Sequence, residues 1–233
     1  MVRYWSEKVK LWGDERAYRA NPITINDFDE TDLIALEKGG VRTLPSKDKS
    51  KRRLIIIDKT RFDQRKSHRE SMVRKHCLGT FFLALWKAYD RYFVTKLRLF
   101  WYMYHVALED VDAQKNGIVN IAGTPRRIST LMDQDRKLDS RICFLYKEVL
   151  PVRIVGVHHF VSNRLLEYFV PVVLALFGSN IRRRYILHTG TEESFLNELS
   201  VHGIGKANLP QDIGGTYSFD YESWIAERRS QNM

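Results

Sequence analysis

The stretch LPVRIVGVHHFVSNRLLEYFVPVVLALFGSNIRRRYILHTGTEESFLNEL (Leu150–Leu199) decides the fold class. Pro151 stops any helix that reaches it. Val152–Val161 is rich in β-branched residues and reads as a strand. Asn163–Phe177 has a helical period, with Gly178 at its end. Tyr185–Leu187 is a short strand, and Thr191 or Glu192 opens a helix through Leu199. Strand, helix, strand, helix is the order that produces parallel pairing under a helical layer.

The pattern extends toward the N-terminus. Arg126–Val149 reads as helical, Gly117–Ala122 (GIVNIA) as a strand, and Arg69–Asp110 as a long helical zone. Val41–Leu44 and Arg53–Ile57 are strands, and the polar PSKDKSK between them predicts a hairpin. Ahead of these, Thr31 is expected to cap TDLIALEK and Gly39-Gly40 to end it. Val2, Trp5, Val9 and Trp12 share one face of a first helix. A lone amphipathic helix needs a surface to bury that face, so an upstream helical region is expected to be missing. The expected fold is an α/β sandwich with a mixed, mainly parallel sheet floor covered by helices. Residues 1–40 would be a remnant N-terminal helical region, 41–216 the main domain and 217–233 a tail.

Composition narrows the partners. A 233-residue chain that is 44% hydrophobic can build a core, and its formal charge of +10 points to anionic partners. Lys47–Lys75 holds twelve basic residues against four acidic ones, so most of the excess lies there. Such a stretch suits anionic lipid or nucleic acid, and it also suits a plain solvated loop. Two cysteines, Cys77 and Cys143, are too few for a disulfide scaffold, which places the expected compartment in the reducing cytoplasm. The start MVRYWSEKVK has no apolar core of the signal-peptide kind. The longest uncharged apolar run, Tyr168–Gly178, is too short to span a bilayer.

The chemistry-bearing residues are few. In Leu165–Phe177, Phe169, Val172, Val173 and Leu176 form one stripe, while Leu166, Val170, Leu174 and Phe177 cover much of the other side. A helix apolar nearly all round is either a core helix or a lid between a ligand and a membrane. Pro171 should kink it. Arg182-Arg183-Arg184 follows, and guanidinium forks suit a phosphate headgroup as well as solvent. His158, His159 and His188 invite a metal reading, but adjacent strand residues point to opposite faces, so His158 and His159 cannot easily share one ion. No P-loop, dinucleotide, nucleophile-elbow or zincin pattern occurs, so no catalytic residue, metal or cofactor is expected.

Four pieces in order, AQKNGIVNI (Ala113–Ile121), LPVRIVGVHHF (Leu150–Phe160), EYFVPVVLALFGSNIRRRYILHTG (Glu167–Gly190) and LPQDIGG (Leu209–Gly215), resemble the CRAL-TRIO lipid-binding domain of phosphatidylinositol and tocopherol transfer proteins. The resemblance covers about Leu54–Gly215. It implies an apolar pocket on the sheet closed by a mobile gate helix, hence non-catalytic binding and intermembrane transfer of a hydrophobic lipid. The gate and pocket residues would be Leu166, Phe169, Val170, Val172, Val173, Leu176 and Phe177. Arg153, Arg183 and Arg184 would hold a headgroup, and Lys51, Arg52 and Arg53 would face an anionic membrane. Val152, Val161-Ser162-Asn163 and Gly123 depart from the family pattern, which leaves phospholipid, phosphoinositide and tocopherol-like ligands all open. Residues 75–96 look like an insertion relative to the family. The expected state is a monomer, peripheral to membranes and without nucleic acid. A basic nucleic-acid-binding module is the alternative, and it would expose aromatics among its Lys and Arg.

Overall fold

The computed structural model describes residues 2–62, 78–123, 136–161 and 182–232, with side chains of the long third helix from Arg91 and of the fifth from Lys137. The helices are α1 (Val2–Tyr18), α2 (Glu30–Glu37), α3 (Leu78–Leu108), α4 (Val111–Asn116), α5 (Arg136–Phe144), α6 (Glu192–Val201) and α7 (Tyr221–Ser230). The strands are β1 (Val41–Lys47), β2 (Arg53–Ile57), β3 (Ile118–Ala122), β4 (Ile154–Phe160) and β5 (Tyr185–His188). They form one sheet in chain order. β1 and β2 pair antiparallel, with an irregularity between Thr43 and Lys47, and the other three pairs are parallel. The mixed, mainly parallel sheet flanked by helices is the expected architecture.

Strand alternation sends side chains to two cores. Ile55, Ile57 and Ile118 meet α3 on what we call the helical face. Leu54, Ile56, Val119 and Ile121 meet Phe195 and Leu199 of α6, with Ile204, Leu209 and Ile213, on the opposite face. The aromatic end of α3 is the centre of the helical layer. Phe100, Trp101, Tyr102, Met103 and Tyr104 are consecutive, and each is at most 1% exposed. A helix can bury its whole circumference only between two layers. Here the sheet lies on one side, and α1, α2 and α7 lie on the other.

Local chemistry explains the ends of the elements. Asp29, not Thr31, caps α2. Its carboxylate accepts the Asp32 amide at 3.0 Å, and Asp32 returns the bond to the Asp29 amide. This reciprocal pair satisfies two free amides at once, which a single Thr hydroxyl could not do. Thr191 caps α6 as expected. Gly117 (φ +88°) turns the chain from α4 into β3, where a Cβ would stand 2.7 Å from the Arg153 carbonyl oxygen.

Other readings are refined. α1 kinks at Gly13 and, of the Val2–Trp5–Val9–Trp12 face, fully buries only Trp12. Val2 and Trp5 are exposed, whereas Glu7, Lys8, Leu11 and Trp12 are buried. Glu7 tolerates burial because Lys10 and Arg141 pair with it. Arg136–Phe144 runs into a π turn at Leu145–Val149 that ends before Pro151. The stretch read as a tail contains α7, whose Arg228 donates to Glu109 at 2.6 and 3.0 Å. At the end of the expected insertion, Thr95 and Lys96 are buried within the continuous helix α3, and the Thr95 hydroxyl donates to Asp32 at 2.7 Å.

Candidate functional site

β4 and β5 form the part of the sheet where polar chemistry collects. Their register pairs Val157 with Tyr185 and His159 with Leu187 on the helical face. All four are half-buried. His159 and the Tyr185 hydroxyl share a hydrogen bond through Nδ1. Burial, aided by the Lys59 charge, pushes His159 down to about 3, so its imidazole is neutral across the physiological range. Burial raises Tyr185 as well, and it raises the Cys143 thiol to about 11. A protonated thiol is a poor nucleophile, and beside a neutral imidazole and phenol it leaves this floor uncharged.

His158 points the other way, as the alternation of strand side chains requires. Its Nδ1 lies 2.9 Å from His188 Nε2, and His188 Nδ1 lies 2.6 Å from Glu198 Oε2. Because Glu198 can only accept, His188 donates to it from Nδ1, and His188 Nε2 shares the second bond with His158 Nδ1. The Ser194 hydroxyl donates to Glu198 Oε1 at 3.0 Å. That places the serine on the carboxylate and off the imidazole, so the chain is not a nucleophilic triad. Burial, then His188 and His202, push His158 to about 3. Glu198 lies below the usual carboxylate range, mainly through the bond from His188. Among the described residues, no group of three or more His, Cys, Asp or Glu could hold a metal ion.

The arginines sit at the starting ends of these two strands. Arg184 precedes β5, and its Nη1 donates to the Ile154 carbonyl at 2.8 Å. That carbonyl follows Arg153, which is itself exposed. Arg182 and Arg183 are exposed as well. Arg184 itself falls opposite Gly156 in the strand register, and its side chain reaches along β4 to the Ile154 carbonyl, one residue past Arg153. The gate and pocket residues Leu166, Phe169, Val170, Val172, Val173, Leu176 and Phe177 lie outside the described residues.

The basic hairpin behaves differently from its charge count. Lys51 is exposed in the turn at φ +59°. Arg52 pairs with Asp48, and Arg53 pairs with Asp110 at 3.2 Å while also donating to the Pro45 carbonyl. Lys47 bridges Asp110 and Asp112, Lys59 meets Asp139, and Arg61 meets Asp58 and Asp212. Asp48 and Asp58 are local partners, but Asp110, Asp112, Asp139 and Asp212 come from distant parts of the chain, where local sequence gives no sign of them.

LPQDIGG is a structural closure. Asp212 receives both Arg42 and Arg61. Gly215 passes so close to Leu209 that a Cβ would stand 1.8 Å from its carbonyl oxygen.

The sequence matches no protein-family model and no curated protein. Among solved structures the chain is similar to the crystal structure of Sfh5, at 8% identity and a TM-score of 0.47. The match covers 84% of this chain and spans 65% of that one. The similarity is remote and structural only. Among the described residues, no helix is long and apolar enough to cross a membrane.

Proposed function

We propose that the protein binds a hydrophobic lipid without catalysis, on the helical face of β4 and β5, and carries it between membranes. One observation carries this reading. The strands joined by the greasy Leu165–Phe177 segment present a neutral floor of Val157, His159, Tyr185 and Leu187 that is only half-buried. A lipid tail gains about 0.8 kcal/mol for each CH₂ removed from water, so such a floor favours length and bulk. Polar selectivity would come from few groups.

Arg153, Arg183 and Arg184 would hold an anionic headgroup at the strand starts. Their guanidinium groups have no carboxylate partner among the described residues. Lys51 and Arg182 would favour an anionic membrane surface, at about 1 kcal/mol each near the headgroups. Arg52 and Arg53, each already held by a carboxylate, would contribute less.

The nucleic-acid reading has less support. The aromatics of LFWYMY are at most 1% exposed and offer no face to a base.

The test is to extract the purified protein and identify co-purified lipid by mass spectrometry, then offer vesicles of phosphatidylcholine, phosphatidylinositol and α-tocopherol. Stoichiometric uptake of one of these supports the proposal. No co-purified lipid and no uptake from any vesicle would overturn it.

A further inference from the structure

A second recess lies in the helical layer, away from β4 and β5. α1 and α3 diverge there around a cleft of about 440 Å³, walled by Tyr4, Lys8, Ile23, Trp101, His105 and Glu109 among others. That volume lies within the roughly 300–1,000 Å³ range of small-molecule sites. Tyr4 and Lys8 stand one turn apart on α1, as Trp101 and His105 do on α3, so each pair lines the same side of its helix.

The wall has settled its own hydrogen bonds. His105 Nδ1 donates to the Trp101 carbonyl at 2.8 Å, which leaves Nε2 to accept the Tyr4 hydroxyl at 3.0 Å. The Trp101 and His105 rings stack at 5.2 Å, and Tyr4 leans on Trp101 at 4.9 Å. What faces the cleft is mostly apolar, from these rings together with Ile23, Val106 and Leu108.

Lys8 is the exception. The residue is buried, at 6% exposure, yet no carboxylate is bonded to it among the described residues. The carboxylates nearby are already engaged: Glu7 by Lys10 and Arg141, Asp27 by Arg19, and Glu109 by both nitrogens of the Arg228 fork. The close partner of the Lys8 ammonium is the Trp5 ring at 5.0 Å. Burial and the Arg19 charge hold Lys8 below the ordinary lysine range. A Met or Leu would pack the same aliphatic stem without the charge.

We propose that this cleft binds a small organic monoanion, a carboxylate on an aromatic or short aliphatic body, with Lys8 meeting the carboxylate and Trp101 and His105 meeting the body. An ammonium with no carboxylate bonded to it, beside carboxylates that other cations already hold, calls for a negative charge. The ring-lined wall calls for an apolar remainder.

The test is calorimetric titration of the full chain with 4-phenylbutyrate, followed in parallel by tryptophan fluorescence. The carboxylate should bind roughly tenfold more tightly than the neutral 4-phenylbutanamide. Lys8→Met should abolish that preference, while Lys10→Met, which removes an exposed charge already paired with Glu7, should keep it. Leu187→Ala, on the sheet floor, should leave phenylbutyrate binding unchanged. Equal affinity for acid and amide, full binding by Lys8→Met, or no binding up to about 5 mM would each overturn the proposal. The acid–amide comparison uses the unaltered protein, so it decides the matter even if Lys8→Met fails to fold.

Discussion

The two halves of the sheet use the same alternating strands and bury them to different depths. On β2 and β3, Leu54, Ile55, Ile56, Ile118, Val119 and Ile121 are each at most 1% exposed. On β4 and β5, His158, Phe160 and His188 are buried as well, but Val155, Val157, His159, Tyr185, Ile186 and Leu187 are half-buried. The first half is closed by α3 and α6 and contributes stability. The second half carries the histidines, the phenol and the neighbouring arginines. The difference separates a scaffold from a surface prepared for something else, and it can be tested by perturbing each half in turn.

Acid should have the largest effect, and it acts on the β4 histidines. His158 and His159 are neutral in the folded chain, held near 3, and return to about 6.5 once unfolded. Their contribution is therefore fully present above pH 6.5 and falls as the pH drops through the window from 6.5 toward 3. By pH 5 the loss is about 2 kcal/mol per histidine, read from urea melts at stepped pH. A stability curve flat between pH 7 and 5 would show that neither imidazole is held neutral by the fold.

Next is Ile55→Ala on β2, where deletion from a sealed core should cost about 3 kcal/mol in urea denaturation. Leu187→Ala on β5 should cost about 1 kcal/mol or less while reducing lipid uptake. Equal costs at the two positions would erase the distinction between the halves. Asp212→Asn should cost about 2 kcal/mol, because it strands Arg42, whose side chain is only 7% exposed. The smallest stability change belongs to Arg183→Glu, within about 0.5 kcal/mol. Its effect should appear instead as weaker sedimentation with phosphoinositide vesicles. Unchanged sedimentation would remove Arg183 from the headgroup site.

Much of the scaffold was legible in the sequence because strand signals are local. GIVNIA, RLIII and the β4 run fell where apolar alternation placed them. The opposed aims of His158 and His159 followed from the same geometry. The fate of the basic stretch was not legible, since Asp110, Asp112, Asp139 and Asp212 reach it only through the tertiary fold. Nor was the buried face of α1. Helical spacing alone favoured Trp5, but the fold turned Trp5 outward and drew in Glu7, whose partner Arg141 arrives from α5. The site was legible only as residue types. That the Arg184 guanidinium reaches the Ile154 carbonyl, next to Arg153, is a product of parallel pairing, which no local window contains.

The consecutive strand order also bears on how the chain is assembled. Each strand finds its partner in the one before it, so the sheet can grow at one edge during synthesis without waiting for a late arrival. The last helix is different, because Arg228 must reach back across 119 residues to grip Glu109. A nascent chain would thus carry a finished sheet before its helical layer is latched, with α1 and α2 already against the aromatic end of α3 and α7 the last piece to close over it.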